Sequence, residues 1–303
     1  MGEGEGDGLI ECVPNVSEGR DPRIIERIAD AITSTGCHLL DIHSDPDHHR
    51  SVFTMVGDQE QVVDGAVALT ESATALIDLT THHGVHPRIG AVDVIPFVPL
   101  ESTAMPTCVT VAQRVGAILG DRFGLPVVLY GLAARSTQWA SLSWIRRGGL
   151  RVLSRKLMED GPDYGPRRPH PTAGAVAVGA RPFLVAFNVV LNTADVSIAQ
   201  AIATVLRETH GGLPGVKALG LSLASRNLTQ VSMNLADTVA TSIPSAFRAV
   251  EREANRLGAR VVESEIVGLI PRIALADASA ADLLMRADPR ERVLETRIAA
   301  LAP

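Results

Sequence analysis

Seven of the nine histidines in this sequence fall between residues 38 and 86: His38, His43, His48, His49, His82, His83 and His86. Imidazole does two kinds of chemistry. It ligates metals, and it takes and returns protons near neutral pH with little tuning. The stretch THHGVHPRIGAVDVIPF, residues 81–97, raises both. His82 and His86 stand four residues apart, and on a helix that spacing would put both rings on one face as a ligand pair. Gly84 lies between them, however, and Pro87 biases His86 away from helical geometry. No cysteine or His-Glu pair completes a ligand set, so no metal is expected. Proton transfer asks for less: one histidine on a rigid mount. His86 has Gly84 and Pro87 to restrict its backbone, Arg88 two residues on, and an apolar strand directly after it. His82 and His83 read as exposed residues at the end of the preceding helix, where the negative end of the helix dipole suits them.

Three further polar stretches carry chemistry-bearing residues. HSDPDHHR, 43–50, places Asp45, Asp47 and Arg50 in a hairpin-like turn, while Asp41 ends the apolar run before it and could face a cleft. PNVSEGRD, 14–21, puts Asn15, Ser17 and Glu18 ahead of a helix that Ser17 or Asp21 would cap. EDGPDYGPRRPHPTAG, 159–174, holds four prolines and three glycines, too rigid for a free linker and too irregular for an element. It is either a connector between domains or a binding loop on a rigid scaffold.

The elements that must position these residues follow from periodicity. Residues 9–14, 37–43, 51–57 and 91–100 read as strands, and 21–33 and 58–79 as helices. Strand, helix, strand, strand, helix, strand is the ferredoxin-like order. The same order recurs in 183–191, 194–209, 216–223, 230–237, 243–258 and 260–270. Between the two series lie a helix at 107–124, a strand at 126–131 and a helical stretch to about 158. In QVSMNL, Val231, Met233 and Leu235 face one way and Gln230, Ser232 and Asn234 the other. The fold class is therefore α/β (α+β), in two subdomains of ferredoxin-like order, each expected as a mixed sheet with helices on its outer face. The expected boundaries are a disordered tail at 1–8, an N-terminal subdomain at 9–182 and a C-terminal one at 183–303.

Composition narrows the class of function. The chain of 303 residues is 46% hydrophobic with net charge −6, which argues against a nucleic-acid footprint. The most apolar stretch, 173–191, is broken by Arg181, Pro182 and Asn188 and reads as two buried strands rather than a membrane span. The acidic, glycine-rich start lacks the basic and apolar regions of a signal peptide. Cys12, Cys37 and Cys108 form no pairing framework and read as buried thiols of a cytoplasmic protein.

ECVPNVSEGRD, LLDIHSDPDHHRSVFTMVG, HHGVHPRIGAVDVIPFVPL, PVVLYGLAA, PDYGPRRPHPTAGAVAVGARPFLVAFNVVL, VKALGLSL and QVSMNLAD follow one another in order. Together they resemble the glutamate formimidoyltransferases, the formiminotransferase half of formimidoyltransferase-cyclodeaminase, over residues 9–275. The resemblance implies transfer of a formimidoyl group from N-formimidoyl-L-glutamate to the co-substrate tetrahydrofolate, in histidine degradation. It implies small-molecule substrates, a homodimer, and two α/β subdomains about a groove. It makes His86, in the HPR motif, the catalytic histidine. It assigns folate binding to the loop Gly165, Pro166, Arg167, Arg168, Pro169, His170, Pro171, Thr172, Ala173 and Gly174. His49 departs from the pattern, since related sequences commonly have asparagine before the arginine. No cyclodeaminase half follows, so ammonia release would fall to a separate enzyme. Given this donor, Asp41 or Asp45 would hold its amidinium and Arg50 and Arg88 its carboxylates. Arg167 and Arg168 would meet the glutamyl tail of folate. Formyl transfer between 5-formyltetrahydrofolate and glutamate, or metal-dependent hydrolysis of formimidoyl-glutamate, are the alternatives.

Overall fold

The computed structural model describes residues 8–100 and 102–301. The expected tail, 1–8, lies outside the described residues except for Gly8. The chain forms two compact units, Met1–Pro182 and Phe183–Pro303.

The first unit begins with two short strands, β1 (Ile10–Cys12) and β2 (Asn15–Val16), and the helix α1 (Pro22–Thr33). Asp21 caps α1 by accepting from Arg23 N, a contact of the kind worth about 1 kcal/mol. The hairpin β3 (His38–Asp45) and β4 (Arg50–Gly57) follows, then α2 (Gln59–Leu76), started by an Asp58–Gln61 capping box. A long polar loop, with a single 3₁₀ turn at Leu79–Thr81, leads to β5 (Val92–Pro99). Beyond lie α3 (Met105–Phe123), β6 (Val127–Gly131), α4 (Leu142–Arg146), α5 (Gly149–Glu159) and β7 (Val176–Ala180). The sheet runs β3, β4, then β1 and β2, then β5, β7, β6. Its first half is antiparallel, and β5, β7 and β6 are parallel to one another.

Helices α1, α2 and α3 cover one face, burying Ile28, Ile32, Val62, Leu69, Val115 and Leu119 against Phe53, Met55, Ile95 and Phe97. Truncation of Phe53 or Phe97, both fully buried, would cost about 3–5 kcal/mol. All three cysteines are buried in this unit. Helices α4 and α5 cover part of the opposite face, with Ile145, Leu153 and Leu157 packed on Val94, Val128, Tyr130 and Ala177. Helices on one outer face were expected; this unit has them on both, because the parallel extension β5–β7–β6 has two apolar faces to bury. The proline-rich loop lies between α5 and β7, inside this unit.

The second unit contains β8 (Val185–Leu191), α6 (Val196–Leu206), β9 (Val216–Leu223), β10 (Leu228–Leu235), α7 (Ile243–Arg256) and β11 (Val261–Val267). Its sheet order is β11-β8-β10-β9. Every pairing is antiparallel, so the mixed character expected of both sheets belongs to the first. Val231, Met233 and Leu235 are buried with Phe187, Ile202 and Val250, as their alternation predicts. The helix expected to reach residue 209 ends at Leu206 and is followed by a 3₁₀ turn at Glu208–His210.

Candidate active site

Strand alternation selects the side chains of the site. On β4, Phe53 and Met55 enter the helix-covered core, so Arg50, in phase with Val52 and Thr54, lies on the opposite face. On β5, Val92 pairs with Val16 and Val94 with Asn15, which leaves Asp93 as the extra residue of a bulge. Bulges re-aim a side chain. Asp93 is fully buried, and its Oδ1 accepts from Ile89 N at 2.8 Å.

Arg50 is the hub. Its Nη1 lies 3.0 Å from Asp93 Oδ2 and 2.8 Å from His86 Nδ1, and its Nε donates to Asn15 Oδ1 at 2.9 Å. Arg146, at the end of α4, pairs with the same Asp93 oxygen. The three side chains are 15% (Arg50), 1% (Asp93) and 14% (Arg146) exposed. Two buried cations therefore share one anion. Burial alone would raise Asp93, but Arg146 and Arg50 outweigh it and hold the carboxyl below its ordinary value. Burial, and then the Arg146 charge, bring Arg50 down to about 9, still a cation at neutral pH. Burial, reinforced by Arg50, Arg146 and His48, pushes His86 well below its ordinary value, so its ring is neutral at pH 7.

The loop carrying His86 is braced from within. Arg88 donates to His86 O at 2.9 Å, to Gly84 O, and to His82 Nδ1 at 2.6 Å. His82 Nε2 lies 3.0 Å from His49 O, and the two rings stack at 4.0 Å. Burial, Arg88 and His49 lower His82 to about 4. His82 is thus a half-buried strut rather than the exposed helix-end residue expected; His83 is exposed. The difference arises because α2 stops at Leu76 and the chain folds back on the hairpin turn. His49 has φ +51, in the left-handed region that asparagine tolerates better than histidine. Its Nδ1 accepts from Gly19 N at 3.1 Å, joining the 14–21 stretch to the hairpin turn and, through the His82 stack, to the His86 loop. Glu18 Oε1 in turn accepts from the backbone N of Gly19, Arg20 and Asp21.

The loop 165–174 is tied to the same place. Leu79 N donates to Thr172 O at 2.8 Å, Ala91 N to Ala173 O at 2.9 Å and Ala175 N to Ile89 O at 2.9 Å. Its end is thus bonded to the chain on both sides of His86. His170 closes the loop internally: its N donates to Gly174 O at 2.7 Å, and its Nδ1 accepts from Ala173 N at 3.0 Å. Gly174 has φ +72, and a Cβ there would stand 2.3 Å from Ile89 O, so the close approach requires glycine. Arg167 and Arg168 are exposed, with Arg167 Nη1 donating to Met158 O at 3.2 Å.

Residues 9–181 match the formiminotransferase domain, N-terminal subdomain, and residues 186–301 match the formiminotransferase domain. The chain is a member of the formiminotransferase family. It is 42% identical over 274 residues to glutamate formimidoyltransferase of Streptococcus pyogenes serotype M1, covering 89% of this chain and 92% of that one. With the Thermoplasma acidophilum protein of the same name it shares 43% over 295 residues, 96% and 97% of the two chains. With formimidoyltransferase-cyclodeaminase of Sus scrofa it shares 45% over 282 residues, 90% of this chain but 52% of that longer one.

Within this formiminotransferase chain, His86, Arg50 and Arg88 come together, and the 165–174 loop joins them through backbone bonds. Asp45 and Asp41 are differently placed. Asp45 Oδ1 accepts from His48 N at 2.7 Å and pins the hairpin turn. Asp41 is half-buried on β3, just after a bulge, opposite Thr54. Sequence reading missed Arg146 and left Asp93 and Asn15 without a role. Asp93 carried a signal, being a charged residue inside an otherwise apolar strand. Arg146, in a surface-type SLSWIRR segment, carried none. Among the described residues, no group of three His, Cys, Asp or Glu is placed to hold a metal ion, and no helix is long and apolar enough to cross a membrane.

Proposed function

We propose that this chain transfers the formimidoyl group of N-formimidoyl-L-glutamate to N5 of tetrahydrofolate, giving 5-formimidoyltetrahydrofolate and L-glutamate. The observation that carries the reading is a neutral histidine, His86, held by Arg50 at 2.8 Å in a chain 42–43% identical over nearly its whole length to proteins named glutamate formimidoyltransferase.

The chemistry asks for a proton to leave the attacking N5 and another to reach the departing glutamate nitrogen. One imidazole between the two nitrogens can serve both, for about 10²–10⁴-fold in rate. The resting contact sets a condition. A guanidinium only donates, so Nδ1 accepts from Arg50 and the neutral ring carries its proton on Nε2. For Nε2 to take a proton, the ring must change tautomer while Arg50 turns to Asp93 and Asn15, which already hold it. Asp41 or Asp45 would hold the amidinium. Arg50 has the charge for a substrate carboxylate; Arg88 is engaged in holding the loop. The loop Gly165–Gly174 would take the folate, with Arg167 and Arg168 toward its glutamyl tail. Positioning two substrates beside His86 would supply further rate. A cytoplasmic homodimer belongs to the same reading; three buried, unpaired thiols suit a reducing compartment.

The test is spectroscopic: glutamate release dependent on tetrahydrofolate, with formimidoyl- and formyl-glutamate run in parallel. The reading expects release from the formimidoyl donor. Preference for the formyl donor, or release without folate, would overturn it.

A further inference from the structure

Arg146 and Arg50 share one oxygen of Asp93, in a cluster that is at most 15% exposed. The cluster carries one positive charge in excess. Arg146 also has a buried Nε–H with no hydrogen-bond partner among the described protein groups. A buried guanidinium donor left unmade costs more than a neutral one, which favours an arrangement completed by an anionic acceptor. Arg50 of the cluster touches His86, and Arg146 is one of the charges acting on its ring.

We propose that Arg146 binds the α-carboxylate of the formimidoyl-glutamate donor. The inference rests on the function proposed above. Its logic is a matter of bonds. The α-carboxylate is attached to the carbon that bears the departing glutamate nitrogen, so a donor whose departing nitrogen meets His86 must bring that carboxylate close by. The carboxylates of folate are separated from N5 by the whole p-aminobenzoyl group. The γ-carboxylate hangs on a flexible chain and does not have to lie beside His86. A carboxylate that reaches the Arg146 guanidinium neutralises the excess charge, and a turn of the side chain toward it brings the buried Nε–H into the same contact.

Three measurements decide it, all on the full chain with formimidoyl-glutamate and with N-formimidoyl-4-aminobutyrate, which lacks only the α-carboxylate. First, R146Q should raise KM for formimidoyl-glutamate about 10- to 100-fold. KM for tetrahydrofolate should stay within about two-fold, the noise expected of an untouched site. Second, R146Q should have little effect on the 4-aminobutyrate donor, so that the wild-type preference between donors is lost. Third, removing Arg146 takes away one charge that keeps His86 neutral. Arg50 from β4, His48 from the hairpin, Asp93 from β5 and Arg88 from its own loop remain. The acid limb of kcat/KM should therefore move to higher pH.

Equal losses with both donors, or a rise confined to the folate KM, would overturn the assignment. If R146Q does not fold, R146K makes the same comparison, since it keeps the charge and loses the planar fork. Absence of folate-dependent transfer in the wild type would instead overturn the proposed function, and is read separately.

Discussion

Arg50 Nη1 meets His86 Nδ1 at 2.8 Å, so a permanent donor occupies one ring nitrogen and the proton of the neutral imidazole sits on the other. The same arginine is anchored to Asp93 and Asn15. The histidine expected to move protons is thus held in a defined tautomer by a residue fixed on two strands. In ¹⁵N-edited NMR of the free protein, His86 should show a protonated Nε2 and a bare Nδ1 at pH 6, below the ordinary histidine pKa of about 6.5. An imidazolium pattern at pH 6 would contradict this arrangement.

Asp93 anchors both guanidiniums. Because its folded carboxyl lies below the ordinary value, its contribution is present above the unfolded pKa and is lost as pH falls through the folded one. Asp93→Asn would leave two buried cations without their anion and should destabilise the protein by about 3–5 kcal/mol. Urea unfolding at pH 7 measures it. A variant within about 0.5 kcal/mol of wild type, the range of ordinary surface changes, would show that the cluster is not held as described.

Histidine burial gives an acid dependence of the same sign in a higher pH window. His82 titrates at about 4 in the folded chain and near 6.5 unfolded. Its contribution is full above pH 6.5 and is lost as pH falls from there to about 4, because the unfolded chain takes the proton first. His49 and His86 shift the same way. Urea midpoints should therefore fall between pH 6.5 and 4.5, and less steeply in His82→Gln. Identical slopes in the two proteins would remove His82 as a neutral strut.

Gly174→Ala forces a left-handed alanine and puts its Cβ against Ile89 O. The strain should cost about 1–3 kcal/mol. Since the loop end is bonded to both flanks of the His86 segment, KM for tetrahydrofolate should rise with it. Normal folate kinetics in a destabilised variant would separate the loop from the folate site.

Arg167 and Arg168 are exposed at the outer part of that loop. Reversing both charges should weaken polyglutamyl folate more than monoglutamyl folate. Equal effects on the two folates would rule out contact with the glutamyl tail.

Element order was legible because alternation and helical spacing are local properties: the repeated strand and helix series appears in both units. His86 was legible for a related reason, since Gly84 and Pro87 mark its backbone. What the sequence did not show was the partner set. Asp93 is turned by a bulge that only strand pairing creates. Arg146 arrives from a five-residue helix distant in sequence. His82 was misread as exposed because its burial depends on a stack with His49, 33 residues earlier. The loop 159–174 stayed ambiguous until its backbone bonds to Leu79 and Ala91 were seen.

The most direct test of the account is the turnover of His86→Gln, with folding checked by circular dichroism. The account predicts a kcat for folate-dependent glutamate release lower by about 10²–10⁴-fold, with both KM values changed little. A folded His86→Gln protein with near-normal kcat would contradict it.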